Sequence, residues 1–435
     1  MSPIEIGCLG LLVLFAIIAI GIPIGFAMAL VGFWGCVFLS GWEAALCYLT
    51  TVPISTVASY TLSVLPLFIL MGEFASISGL TEGAFNGLNK WLGRLPGGLA
   101  MATVGGCAAF GAVCGSGIAA ATTFCTVAYP EMRRYNYDPK LSLGSIAAGG
   151  TLAVLIPPSN PLIIYSIFAE ESVGKLFMAG FFPGFLLAGL MMLTAYIWVK
   201  FVPSMGPTGP KYTWRQRLAA GRDIWPVLLL AFFILGGIWG GIFSPSEAGG
   251  IGAFLAFVIG LSRGQFSIQK IGYALRHTVT TTAMVFTIII GAMIFNYFVT
   301  LCGLPEATSR FMEGLHWPPM GILVTILFIY FILGALMDEL AMTVLTLPIF
   351  LPILRSLGID LIWFGVLFVI MCQTGMVAPP VGINVFVISG MVRDVPMFTI
   401  YRGILPFLIA MLVCLVFVIF FPQIALFLPN TMIRR

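Results

Sequence analysis

Charge is scarce in this 435-residue chain: Asp, Glu, Lys and Arg make up 8% of it, against roughly a quarter in a soluble globular domain. So little charge cannot cover a water-exposed surface. Histidine occurs twice, at His277 and His316, which argues against a His-rich metal centre. The nine cysteines stand singly, mostly inside apolar runs and with no CxxC pair. They read as small buried hydrophobes rather than disulfides or thiolate ligands. Strand-period alternation is missing, which disfavours a membrane β-barrel. The net charge of +4 is thinly spread, so no basic patch points to nucleic acid.

What the chain has in excess is apolar length. It is 60% hydrophobic, with a mean hydropathy of +1.09. The expected fold is therefore all-α and polytopic, embedded in a lipid bilayer. The first apolar run lacks a basic leading segment and a small-residue cleavage signal, so it reads as a retained helix.

The chain also repeats itself. At an offset of 222 residues, Pro130 meets Pro352, Arg133 meets Arg355, Asp138 meets Asp360, and Pro157-Pro158 meets Pro379-Pro380. S-G-L-T-E at 78–82 meets C-G-L-P-E at 302–306 with the offset drifting to 224, and Pro183 meets Pro406 at 223. Rare charged residues falling on one another at one offset indicate an internal duplication, a signature of secondary transporters. The halves are expected at 1–202 and 223–435, joined by a cytoplasmic linker at 203–222 rich in Pro, Gly and basic residues.

Each half is expected to hold five crossings and one re-entrant hairpin. The first half places crossings at about 4–20, 23–40, 58–78, 140–170 and 175–201, with the hairpin at 98–130. The second places them at about 224–242, 246–262, 278–300, 360–390 and 404–428, with the hairpin at 319–354. An odd number of crossings makes the halves inverted repeats. With the N-terminus outside, 15 of the 20 Lys and Arg residues fall inside, and Lys175, Arg310, Arg355, Arg434 and Arg435 fall outside. That split follows the positive-inside rule. Two mixed segments, 80–97 and 304–317, read as interfacial helices or as ordinary surface loops.

Paired prolines interrupt two crossings, in V-L-I-P-P-S-N-P (154–161) and M-V-A-P-P-V-G-I (376–383). Proline donates no backbone hydrogen bond and clashes with the preceding turn. Unwound backbone at membrane depth persists only where protein or a cavity satisfies it, and a matched pair of such breaks points to a transport site. A plain proline kink is the alternative.

The hairpin tips, Gly115-Ser116-Gly117 and Asp338-Glu339, correspond to one another and are expected to face the breaks. Their alternatives are a close helix-packing surface for the first tip, and for Asp338 a helix cap or a buried pair with Arg355. Thr151, Ser159, Asn160, Thr374 and Asn384 add polar groups beside the breaks. Oxygen-rich sites of this kind suit hard cations such as Na+, and helix N-termini suit anions.

L-P-L-F-I-L-M-G-E with S-G-L, A-A-G-G-T-L-A-V-L-I-P-P-S and L-F-M-A-G-F-F-P-G-F resemble the large membrane subunit of the tripartite ATP-independent periplasmic (TRAP) transporters. L-P-I-F-L-P-I-L-R-S-L-G-I-D-L-I-W-F-G and A-P-P-V-G-I-N-V-F extend the resemblance over nearly the whole chain. The resemblance implies a scaffold and a mobile transport domain working as a Na+-driven elevator in the bacterial inner membrane. It implies two partners, a small four-helix membrane subunit and a soluble periplasmic substrate-binding protein. The cargo would be a small organic anion: a carboxylate, sugar acid or sulfonate.

By the same resemblance, one sodium site would use Cys114 and Ser116 with Ala153, Ile156 and Pro158. The other would use Asp338 with Gly375, Ala378 and Pro380. Asp338 and Ser116 would border the substrate, and Gly117, Ser159, Asn160 and Asn384 complete the expected substrate-binding set. Three positions depart from the family pattern. Cys114 stands where a serine is usual, so a cation ligand there is its carbonyl, since a thiol suits a hard cation poorly. Ala153 replaces a glycine, and Glu339 replaces a small polar residue.

Rival readings are an anion carrier without a binding protein, an ion channel and an intramembrane protease. The last would need Ser116 and a partner histidine, and His277 is expected near a membrane edge.

Overall fold

The computed structural model describes residues 1–209, 212–314 and 317–432. Lys211, His316, Arg434 and Arg435 lie outside the described residues. Every regular element among them is helical.

The first half runs α1 (Pro3–Ala19), α2 (Ile24–Ser40), α3 (Trp42–Val57), α4 (Val64–Ile77), α5 (Leu80–Leu92), α6 (Gly98–Cys114), α7 (Gly117–Arg134), α8 (Pro139–Leu155), α9 (Asn160–Ala169) and α10 (Val173–Phe201). A 3-10 turn at Tyr60–Ser63 leads into α4. The second half runs α11 (Trp214–Trp239), α12 (Pro245–Ser262), α13 (Ile268–Leu301), α14 (Leu304–Gly314), α15 (Pro319–Gly334), α16 (Glu339–Ser356), α17 (Leu361–Val377), α18 (Ile383–Met391), α19 (Met397–Phe420) and α20 (Gln423–Thr431). By length and composition, seven helices among the described residues could cross a membrane, or eight if α8 and α9 form one broken span.

The element order of α5–α10 recurs in α14–α19, and the duplicated residues do equivalent jobs. Asp138 caps α8 by accepting from Lys140 N–H at 2.8 Å. Asp360 caps α17 by accepting from Ile362 and Trp363 N–H at 2.8 and 2.9 Å. A side-chain acceptor at such an end satisfies donors that the helix itself leaves unpaired. Arg133, in the last turn of α7, pairs with Asp394 at 2.9 Å. Arg355, in the last turn of α16, reaches Glu170 at 3.7 Å and donates to the Ala169 carbonyl at 2.9 Å. Each hairpin thus reaches the other half: α7 packs on α18, and α16 packs on α9.

Several boundaries differ from expectation. Residues 42–57, left between two expected crossings, form α3. Its Thr and Ser content and Pro53 disguise it, although Thr50 and Thr51 return their hydroxyls to carbonyls of the preceding turn. The expected crossing at 278–300 begins ten residues earlier, and α13 is a single 34-residue helix. At the repeat offset, α13 spans the same stretch as α3, the 3-10 turn and α4 together. Of the expected linker at 203–222, residues 214–222 belong to a helix. The Thr213–Gln216 capping box starts α11 at Trp214, and the polar first turn simply continues into the apolar run. The last crossing stops at Phe420, and the residues expected to complete it form α20, packed against α10. The two mixed segments are helical. α5 buries Leu80, Ala84 and Phe85 on one face and packs on α6 and α11.

Candidate functional site at the hairpin tips

The first tip is built by a reversal. α6 ends at Cys114, Gly115 takes a left-handed conformation with φ +66, and Ser116 starts α7. Ser116 Oγ accepts from Ala119 N–H at 3.4 Å. The reversal lies against the first break. A Cβ on Gly115 would stand 2.7 Å from the Pro158 carbonyl oxygen, and one on Gly117 would stand 3.0 Å from Val154 Cγ2. Gly111 packs directly on Ala153, with no room for a Cβ. Small residues here let two backbones approach to the distance at which carbonyls can be shared.

The first break is wholly buried. α8 ends at Leu155, Ile156 is its extended C-cap, and α9 starts after Ser159, at a bend of 41°. Ser159 Oγ accepts from Leu162 N–H at 3.4 Å. Ile156 also faces α10, where a Cβ on Gly184 would meet its Cγ1 at 2.5 Å.

The second tip repeats the plan with different chemistry. Asp338 caps α16, its Oδ2 accepting from Leu340 N–H at 3.1 Å. It therefore acts as a cap and has no pair with Arg355, which is engaged elsewhere. A Cβ on Gly334 would stand 2.8 Å from the Cys372 carbonyl and 3.2 Å from Gly375 Cα. Gly382 N–H reaches the Ala335 carbonyl at 3.4 Å. Gly375 and Ala378 therefore lie beside this tip. Pro380 lies at the exposed edge of the break, where its carbonyl accepts from Tyr401 Oη at 3.1 Å. Both Pro–Pro bonds are cis.

Glu339, a departure in sequence, is buried at the start of α16 and accepts a hydrogen bond from Gln373 Nε2. Gln373 is 1% exposed, and its Oε1 has no partner. That oxygen would lie 3.5 Å from a Cβ on Gly117, so the pair sits between the two tips. Asn384 is fully buried with both amide atoms unpartnered. An unsatisfied buried amide costs about 1–3 kcal/mol, so these atoms mark places where a ligand's polar groups would be favoured.

One cavity of about 540 Å³ gathers much of this. Cys114, Ser116, Asn160 and Asp338 line it, as do Glu73, His277 and Glu339. Gly117, Ser159, Ala153, Ile156, Pro158, Gly375, Ala378, Pro380 and Asn384 are not among its lining residues. The N-terminal turns of α7 and α16, and Asn160 at the start of α9, face the cavity, so their free N–H groups present positive dipole ends to it.

Sequence reasoning missed Glu73, Gln373 and the placement of His277. Glu73 is the sole carboxylate in the apolar run of α4, and Gln373 the sole amide in that of α17. That signal was readable. His277, expected near a membrane edge, lines the cavity from the part of α13 that precedes the expected crossing. Its Nδ1 lies 2.8 Å from Glu73 Oε1.

These features define a multi-span helical membrane protein in which two hairpin tips and the far end of the first break meet at one cavity. Residues 11–424 match the family model for the tripartite ATP-independent periplasmic transporter, DctM component. The chain belongs to that family, as its large permease subunit. It is 35% identical over 374 residues to the C4-dicarboxylate TRAP transporter large permease protein DctM of Pseudomonas aeruginosa, covering 85% of this chain and 86% of that one. It is 32% identical over 424 residues to the isethionate TRAP transporter permease protein DctMQ of Oleidesulfovibrio alaskensis. That match covers 96% of this chain but 65% of the relative's length. Among solved structures, the fold is similar to the Alcanivorax borkumensis YdaH transporter, with TM-score 0.63 at 15% identity, covering 93% of this chain and 98% of that one.

Proposed function

We propose that this subunit carries a small organic anion across the bacterial inner membrane, driven by Na+, in an elevator motion of the hairpins and broken helices against the remaining helices. The single observation that carries this reading is the meeting of both hairpin tips, with Asn160 beside the first break, at one cavity. Helix C-terminal ends at Cys114 and Ile156 present carbonyls, as do those at Gly334–Ala335 and Ala378. These are the donors a hard cation favours. Asp338 adds a carboxylate. Helix N-terminal turns face the same space and favour an anion. Cation binding would draw tip and break together and complete the anion site between them.

The inverted-repeat arrangement supports the reading. Hairpins that enter from opposite faces can each close one side of a central site. The reciprocal packing of α7 on α18 and of α16 on α9 ties the four moving elements into one unit. Relatives are named for isethionate and for C4-dicarboxylates, which supports a small acid as the cargo. A small four-helix membrane subunit and a periplasmic substrate-binding protein would complete the machine.

The test is uptake into proteoliposomes holding this chain and the small subunit, with the binding protein and radiolabelled isethionate or a C4-dicarboxylate outside. Uptake is expected to need both an inward Na+ gradient and the binding protein. Uptake driven by protons alone, or indifferent to the binding protein, would overturn the reading in favour of a conventional carrier.

A further inference from the structure

The cavity's lining is electrically one-sided. Glu73, Asp338 and Glu339 contribute carboxylates, while His277 is the sole side chain among the described lining residues able to carry positive charge. No Lys or Arg is among them. An anion entering this space meets one candidate cationic partner.

That partner is held in place. α4 and α13 pack along each other, and they bring Glu73 and His277 together across 204 positions of sequence. A carboxylate carries no proton to give, so His277 Nδ1–H donates to Glu73 Oε1 at 2.8 Å. Tyr273, one turn earlier, stacks on the imidazole with centroids 5.8 Å apart and planes at 15°. Gly72 sets this corner against the first hairpin tip: a Cβ there would stand 3.1 Å from Cys114 Cα. With Nδ1 engaged and the side chain 50% exposed, Nε2 is the ring's remaining polar atom.

We propose that His277, oriented by Glu73 and Tyr273, receives the acid group of the substrate through Nε2–H on the cytoplasmic side only. With Nδ1 held by Glu73, a proton on Nε2 gives the anion a directed, charge-assisted donor. The inference rests on the elevator reading. α4 and α13 stand outside the hairpins and broken helices, so a contact from α13 is made at one end of the travel. Lys270 and Arg276 lie at the start of α13, and Lys90 and Arg94 follow α4 through α5. The positive-inside rule puts that end in the cytoplasm. His277 thus sets the affinity from which substrate is released, and the hairpin tips set the affinity at loading.

The experiment measures KM from each side in uniformly oriented proteoliposomes, with isethionate and a C4-dicarboxylate as probes. His277→Gln is expected to raise the KM for efflux about tenfold, as for loss of a charge-assisted hydrogen bond. The KM for binding-protein-dependent uptake should rise by clearly less than that for efflux, and thermal unfolding of the solubilised complex shows that the variant is folded. Glu73→Gln keeps an acceptor for Nδ1–H but removes the charge, and should shift efflux in the same direction by less. An unchanged efflux KM, or equal rises on both sides, overturns the proposal. Should the wild-type complex move neither anion under a Na+ gradient, the transport reading fails instead. Calorimetric binding of the same anions to the solubilised complex then decides the role of His277: weaker binding in His277→Gln supports it, and equal binding refutes it.

Discussion

Gly115→Ala is the sharpest probe of the tip-to-break contact. Gly115 sits at φ +66, and a Cβ there would stand 2.7 Å from the Pro158 carbonyl oxygen. Left-handed backbone costs a non-glycine residue about 1–2 kcal/mol. Overlap with a backbone oxygen, which cannot rotate away as a side chain can, adds about 1–3 kcal/mol. The sum, about 2–5 kcal/mol, falls on the state in which the tip lies against the break. That is the state in which Na+ would be held by the Cys114 and Ile156 ends, so its occupancy must drop. Since about 1.4 kcal/mol is a factor of ten, the half-saturating Na+ concentration for uptake should rise at least about tenfold.

The assay is a Na+ titration of anion uptake, with thermal unfolding of the solubilised protein measured in parallel. Gly189→Ala is the control, because nothing lies within 4 Å of a Cβ there. In the middle of α10 that change should stabilise by up to about 1 kcal/mol and leave Na+ dependence alone. A folded Gly115→Ala protein with half-saturation within about twofold of wild type would refute the reasoning.

Two further outcomes are expected. Gln373→Ala strips the buried Glu339 of its donor and should destabilise by about 2 kcal/mol, whereas replacing both residues with Met should recover most of that loss. Thermal unfolding decides, and additive losses would show that the pair is no unit. Neutralising Arg133 or Asp394, whose side chains are 68% and 52% exposed, should change stability by less than about 1 kcal/mol. A double-mutant cycle giving clearly more would mean that the contact is desolvated in the membrane-embedded complex.

Much of this architecture was legible because membrane solvation imposes strong local rules. Paired prolines break a helix wherever they fall, so both interruptions were readable, as were the two tips a fixed distance away. The duplicated Asp138 and Asp360 proved to be helix caps, a role set within two or three residues. Legibility failed where local signals conflict. α3 carries Thr, Ser and Pro53, which lower its apolar score although the helix absorbs them. The first ten residues of α13 and the first turn of α11 are polar, so apolar length underestimates both helices.

The sequence by itself determined that the chain is a helical membrane protein, that it is duplicated, and which residues interrupt it. These follow from composition, periodicity and the covalent limits of proline and glycine. Only the tertiary structure decided which polar groups meet. Glu73 and His277 meet across 204 positions, and Glu339 and Gln373 across 34. No spacing rule specifies either meeting, because each depends on how separate helices pack. Packing also left the first break buried and the second open at Pro379 and Pro380. Two copies of one motif thus occupy unequal surroundings, since each is covered by different neighbours.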